Sequence, residues 1–192
     1  MAKQRTSPMQ AILAGVVVAV LVSHAPELRG QVAATADQIK AAYVFNFAKF
    51  VEWPPQTFPT PNAPINFCAL GRTQTADEMD ALMSGKSING HAVKVRHLTK
   101  LDEIKDCQLL YIAAGIGRPE PLLRALKGCS VLVIGDTPGF AVSGGMIGFV
   151  NENGRVLFEV NPGAVEHSHL KISSKLLALA RIVSVPSERG GQ

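Results

Sequence analysis

Apolar residues recur at helical spacing in the stretch that begins near position 37. Ile39, Tyr43, Phe47, Phe50 and Val51 fall on one side of a helical projection, with Lys40, Lys49 and Glu52 mostly off it. The pattern predicts an amphipathic helix opening after Asp37 and ended by Trp53-Pro54-Pro55, because proline cannot continue the hydrogen-bond ladder and turns its predecessor away from the αR region. A proline-rich connection, Phe58 to Pro64, leads to Ile65 to Leu70, a short apolar run closed by Gly71 that reads as a strand. Helical and strand patterns then alternate. A helix near Thr75 to Met83 precedes a strand at Val93 to Leu98, a short helix from Lys100 and a strand at Gln108 to Ala113. A helix follows Pro119 through Leu126, and then the strand Ser130 to Gly135. Such alternation predicts an α/β domain with a mainly parallel sheet flanked by helices. The second half changes character: Met146 to Val150 and Arg155 to Val160 flank Asn151-Glu152-Asn153-Gly154, whose Asn-Gly end is a strong hairpin signal. Leu176, Leu177, Leu179, Ala180 and Val183 predict a last helix over Ser173 to Val183 that packs back on the sheet.

The remaining apolar run, Ala11 to Val22, follows Lys3 and Arg5 and precedes small and polar residues, the order of a secretory signal. It is about a dozen residues long, short of the ~20 that a membrane-crossing helix needs. Cleavage sites offer themselves after Ala25, Ala34 and Ala36. Pro26 hinders the first and leaves Ala34 or Ala36, with an uncleaved N-terminal anchor as the alternative; the reading is a signal peptide over 1–34, one α/β domain over 35–185 and a disordered tail over 186–192, exported to the periplasm. Removing the first 34 residues takes away Lys3, Arg5, Arg29 and Glu27, and the net charge falls from +4 to +2. The basic balance is thus largely a property of the leader. Neither a Lys/Arg run nor a basic face with interleaved aromatics survives, which removes the electrostatic case for nucleic acid.

Three cysteines, Cys68, Cys107 and Cys129, lie in the mature part. An oxidising compartment predicts one disulfide and one free thiol, with three pairings open to the sequence alone. Cys129 precedes the apolar run Val131 to Ile134, and burial in such surroundings would leave its thiol inert.

Chemical motifs are few. Gly85-Lys86-Ser87 lacks the earlier glycine of a phosphate loop, since Asp80 stands there. Gly115-Ile116-Gly117 lacks the third glycine of a dinucleotide fingerprint, since Glu120 stands there. Neither a Gly-x-Ser-x-Gly elbow nor a His-Glu-x-x-His pair is present, so no catalytic residue set emerges and the chain reads as a binding protein rather than an enzyme. The candidate ligand loop runs from Asp136 to Gly145 at the carboxyl end of a parallel strand, where open α/β sheets bind ligands. Asp136, Gly144 and Gly145 are its candidate residues, and a turn organised by Asp136 is the plainer reading. Glu166, His167 and His169 hold metal-binding groups, but histidines two apart do not share a helix face, and a solvated polar stretch describes them better; no metal or other cofactor is expected.

The run Ile39-Lys40-Ala41-Ala42-Tyr43-Val44-Phe45-Asn46-Phe47-Ala48-Lys49-Phe50-Val51-Glu52-Trp53-Pro54 resembles the opening helix of the YfiR/HmsC family of periplasmic proteins. Phe67 to Gly71, Cys107 to Ile112, Val133 to Asp136, Gly144 to Ile147, Phe158 to Asn161 and Leu170 to Leu177 extend the likeness over residues 37 to 183. The resemblance implies a regulator that restrains an inner-membrane diguanylate cyclase through its periplasmic sensor part, lowering cyclic di-GMP and biofilm formation. It also implies a homodimer and a disulfide between Cys68 and Cys107, leaving Cys129 free. Some relatives carry a second cysteine pair in the glycine-rich segment, whereas Val142 to Phe149 contains none. His167-Ser168-His169 likewise stands where smaller residues are expected. Sensor kinases or outer-membrane transport systems are other conceivable partners for so broad a family. A periplasmic small-molecule-binding module, with its ligand in the Asp136 to Gly145 loop, is the alternative. The Tyr43, Phe47 and Phe50 stripe offers itself as a contact surface, although such stripes are more often core.

Overall fold

Helix α1 (Ala36–Lys49) starts at Thr35, not at Asp37: the Thr35 side chain accepts from the Gln38 backbone N–H, and the Gln38 side chain accepts from the Thr35 N–H. This reciprocal capping box satisfies two otherwise orphaned donors. The computed structural model describes residues 33–184. Residues from Ala34 onward form one unit. All but the last two residues of the expected leader, and the expected tail over 186–192, lie outside the described residues.

Helix α1 stops three residues earlier than its apolar spacing suggests, because Val51 and Glu52 are drawn into a strand. This strand, β1 (Val51–Glu52), pairs antiparallel with β9 (Lys171–Ile172), and Ser173 N–H donates to the Phe50 carbonyl beside it. Strand β2 (Ile65–Leu70), helix α2 (Gln74–Met83), strands β3 (Ser87–Ile88) and β4 (His91–Leu98), a 3₁₀ turn (Leu101–Asp106) and β5 (Leu109–Ile112) follow. Then come α3 (Glu120–Ala125), β6 (Leu132–Gly135), β7 (Ile147–Glu152), β8 (Arg155–Val160), α4 (Pro162–Glu166), α5 (Ser174–Leu177) and β10 (Arg181–Ile182). The main sheet has the order β10-β8-β7-β6-β5-β2-β4-β3. Its inner pairs β4/β2, β2/β5, β5/β6 and β6/β7 are parallel; β7/β8 and β3/β4 are antiparallel hairpins. The α/β class, the parallel centre and the C-terminal hairpin therefore stand as read from the sequence. Asn153 and Gly154 both take positive φ, as a two-residue hairpin turn of that twist requires.

The central strands are buried along their whole length: Leu109, Leu110, Tyr111 and Ile112 in β5, and Leu132 to Gly135 in β6. This is the signature of a sheet covered on both faces. On one face, Phe47 of α1 lies against Phe158 of β8, ring centroids 4.7 Å apart, with Tyr43 and Phe149 completing the cluster. The tempting contact stripe is thus mostly core. Ala41, Val44, Phe45 and Ala48 are buried too, so α1 is enclosed on a wider arc than its aromatic stripe suggests, with α2 packed beside it.

On the opposite face, the connection from β6 to β7 crosses in residues 136–146 without an α-helix. It lies close because Phe140 rests on glycines: a Cβ on Gly135 or Gly145 would come within 2.2 Å of its ring, and one on Gly148 within 3.4 Å of its Cβ.

The last helix differs from its predicted span. One turn forms over Ser174–Leu177, and the chain then extends so that Arg181 and Ile182 pair in parallel with Glu159 and Val160. The open hydrogen-bonding edge of β8 outcompetes further helix, since Leu179, 73% exposed, has nothing to bury against.

Cys68 on β2 and Cys107 just before β5 are joined by a disulfide, Cα atoms 5.9 Å apart and 39 residues apart in sequence. Both residues are almost fully buried. Cys129 is exposed instead of buried: it sits in the turn after α3, its N–H bonded to the Leu126 carbonyl, one step short of the strand core. The native protein should therefore react with one equivalent of a thiol reagent, at Cys129 alone. Replacing Cys68 and Cys107 together by alanine should lower unfolding free energy by up to about 4 kcal/mol in the chain-entropy estimate, measured by urea titration.

Candidate functional site

The carboxyl ends of parallel strands are where an α/β sheet offers a ligand crevice. Here the protein fills that place with its own polar side chains. Asp136 leaves the end of β6, and Lys40 of α1 reaches it with Nζ 2.7 Å from Oδ1 and 2.8 Å from Oδ2. The Tyr111 hydroxyl, rising from β5, donates to Asp136 Oδ2 at 3.0 Å. Nearby, the Thr75 hydroxyl of α2 donates to Asp37 at the start of α1. Asp136 and Lys40 side chains are only 13% and 17% exposed, so the pair is poorly screened and well tied. Burial, with the Asp136 charge adding to it against hydrogen bonding from Thr75, pushes the Tyr111 hydroxyl well above the ordinary phenol range, so it remains a donor.

The three candidate loop residues do not make one site. Asp136 is engaged by Lys40 and Tyr111, Gly145 gives room to the Phe140 ring, and Gly144, with φ +98°, lines a separate cavity. That cavity lies by α3 and α4 at the start of β6 and β7, on the sheet face away from α1. Its volume is about 550 Å³. Leu123, Leu126, Val133, Met146 and Ala164 supply apolar lining, and Glu120, Arg124 and Lys127 supply charge.

The ring of His167 is held by its own helix, Nδ1 to the Gly163 carbonyl, and borders this cavity. His169 takes φ +60°, a left-handed conformation uncommon for histidine, at the turn after α4. Nothing in the structure explains why a histidine occupies it. Among the described residues no group of three His, Cys, Asp or Glu side chains is placed to hold a metal ion.

Helical spacing assigns Lys40 to the polar side of α1, which hides its partner in the sequence. Tyr111 carried a clearer signal: one hydroxyl inside an otherwise apolar buried strand requires a partner. The arrangement is an anchor between α1 and the sheet. Lys40→Met and Asp136→Leu should each destabilise the protein by roughly 2 kcal/mol, by leaving a largely buried charge unpaired. The double variant should lose clearly less than the sum of the two in urea unfolding, a coupling that a pair of independent surface charges would not show.

No curated protein matches this chain. Compared with known protein families, residues 37–181 match the one described as YfiR/HmsC-like. That span begins in the first turn of α1 and ends in β10, taking in the anchor, the disulfide and the cavity, and the chain belongs to the YfiR/HmsC-like family.

Proposed function

We propose that this protein is an exported regulator that restrains an inner-membrane diguanylate cyclase by contacting its periplasmic sensor part, and so lowers cyclic di-GMP and biofilm formation. The observation that carries the reading is the YfiR/HmsC-like match across the folded unit. Membership supports a periplasmic regulatory role in general terms; the cyclase as partner is the further step proposed here. The buried Cys68–Cys107 disulfide supports an oxidising compartment. Among the described residues no helix is long and apolar enough to cross a membrane.

Regulation by contact needs apolar surface for the partner to cover. Leu157 and Leu179 are exposed and line one groove of about 280 Å³ between β8 and the segment leading to β10, with Ile182 also exposed in β10. This groove is the proposed contact for the cyclase's sensor part.

Deleting the gene should raise cellular cyclic di-GMP, and a wild-type copy should reverse the rise; an unchanged level would overturn the cyclase reading. A Leu179→Arg copy should fail to reverse it while changing stability by no more than about 0.5 kcal/mol, as an exposed site allows. The protein recovered from the periplasm should begin at Thr35, read by intact mass, a start that leaves the Thr35–Gln38 capping box in place. Light scattering on a Cys129→Ser form should give the mass of a homodimer, free of any crosslink through the exposed thiol.

A further inference from the structure

The cavity beside α3 is bordered by Glu120, half-buried, and by Arg124 and Lys127, both exposed. Three of its polar groups already have structural duties. Asn161 donates to the Ala141 carbonyl and accepts from the Ala164 N–H, the Ser168 hydroxyl donates to the Val165 carbonyl, and the His167 Nδ1 meets the Gly163 carbonyl. Glu120, Arg124 and Lys127 have none of these duties. They recur at positions i, i+4 and i+7 along α3 and its exit, and so share one side of it. Glu120 and Arg124 have the spacing of a helix ion pair, yet the Glu120 Oε2 is sequestered from solvent and has no hydrogen-bond partner among the described residues. Neither Arg124 nor Lys127 has a carboxylate within ion-pair distance among those residues.

A shielded carboxylate oxygen without a donor is costly. A bound ammonium group relieves that cost. Two cations on the same side call for an anionic group, and Leu123, Leu126, Val133 and Met146 call for an apolar body between them. A volume of about 550 Å³ falls in the range of small-molecule sites, which pair an apolar lining with a few placed polar groups.

We propose that this cavity binds a small amphiphilic zwitterion, with its ammonium on Glu120, its acidic group on Arg124 and Lys127, and an apolar body on the Leu123, Leu126 and Val133 wall. The site goes beyond regulation by protein contact and stands without it. It is separate from Asp136, whose carboxylate faces Lys40 at the other end of the β6 to β7 crossover.

Isothermal titration of the purified disulfide-bonded protein tests it with three probes of one shape: L-leucine, 4-methylpentanoate without the amine, and 3-methylbutylamine without the acid. L-Leucine should bind saturably and each analogue at least about tenfold more weakly, a difference of about 1.4 kcal/mol. Glu120→Gln should weaken L-leucine while leaving 4-methylpentanoate as it was. Arg124→Ala with Lys127→Ala should do the reverse, weakening L-leucine while sparing 3-methylbutylamine. Ala164→Trp, which fills the cavity from α4, should abolish all binding, and an unchanged far-ultraviolet spectrum would show that the fold persists. Absence of saturable binding by all three probes would overturn the proposal. So would equal binding of the three, or L-leucine binding that survives both charge changes. These outcomes are independent of the cyclic di-GMP measurement, so either reading can fail alone.

Discussion

Three glycines and one phenylalanine set the spacing on which the second half of the molecule depends. Parallel strands are usually joined through a helix, in a dozen or more residues. Between β6 and β7 the chain returns over residues 136–146 without one. It does so by laying Phe140 directly on Gly135 and Gly145, where any side chain would meet the ring, and by passing the Ala141 backbone close over Gly148. The close approach fixes both ends of the crossover. At its start, Asp136 stands where Lys40 and Tyr111 reach it; at its close, Gly144 forms part of a cavity wall with α3 and α4.

Two consequences for function follow from that geometry. The crevice at the strand ends, which the α/β architecture makes the first place to seek a ligand, serves to fasten the first helix to the sheet. The open space lies at the other end of the same strands, where charges of both signs border an apolar wall. The framework and the open space thus share only one short segment of chain, residues 136–146.

The sequence exposed most of this fold and little of its polar detail. Ile65 to Leu70 and Arg155 to Val160 were legible to the residue because apolar runs bounded by turn signals leave few alternatives. Leu176, Leu177 and Leu179 keep helical spacing past the one turn that forms, whereas the free edge of β8 is a tertiary opportunity that no local pattern reveals. Cys129 illustrates the same limit: adjacency to an apolar strand suggested burial, but a turn one residue away decides exposure. The disulfide pairing came from resemblance, as the spacing of three cysteines leaves it open. Asp136 was visible as a candidate, but its partner was not, because Lys40 lies 96 positions away and looks solvated in a helical projection. Glu120 and Arg124 looked unremarkable for a related reason: a helix pair at that spacing is ordinarily satisfied on the surface.

The two-residue strand β10 gives the sheet its border at the end of the described chain. Only Glu159 and Val160 gain a neighbour from it, yet the segment leading into it also shelters Phe158 and the hydrophobic groove beside Leu157. A chain cut before Arg181 would keep its helices, its disulfide and its whole parallel centre while baring the hydrogen-bonding flank of β8. Such a fragment would pass for folded by its spectrum and still carry a template for sticking to copies of itself. The order of the sheet's last flank thus hangs on two residues, Arg181 and Ile182, that contribute almost nothing to the buried core.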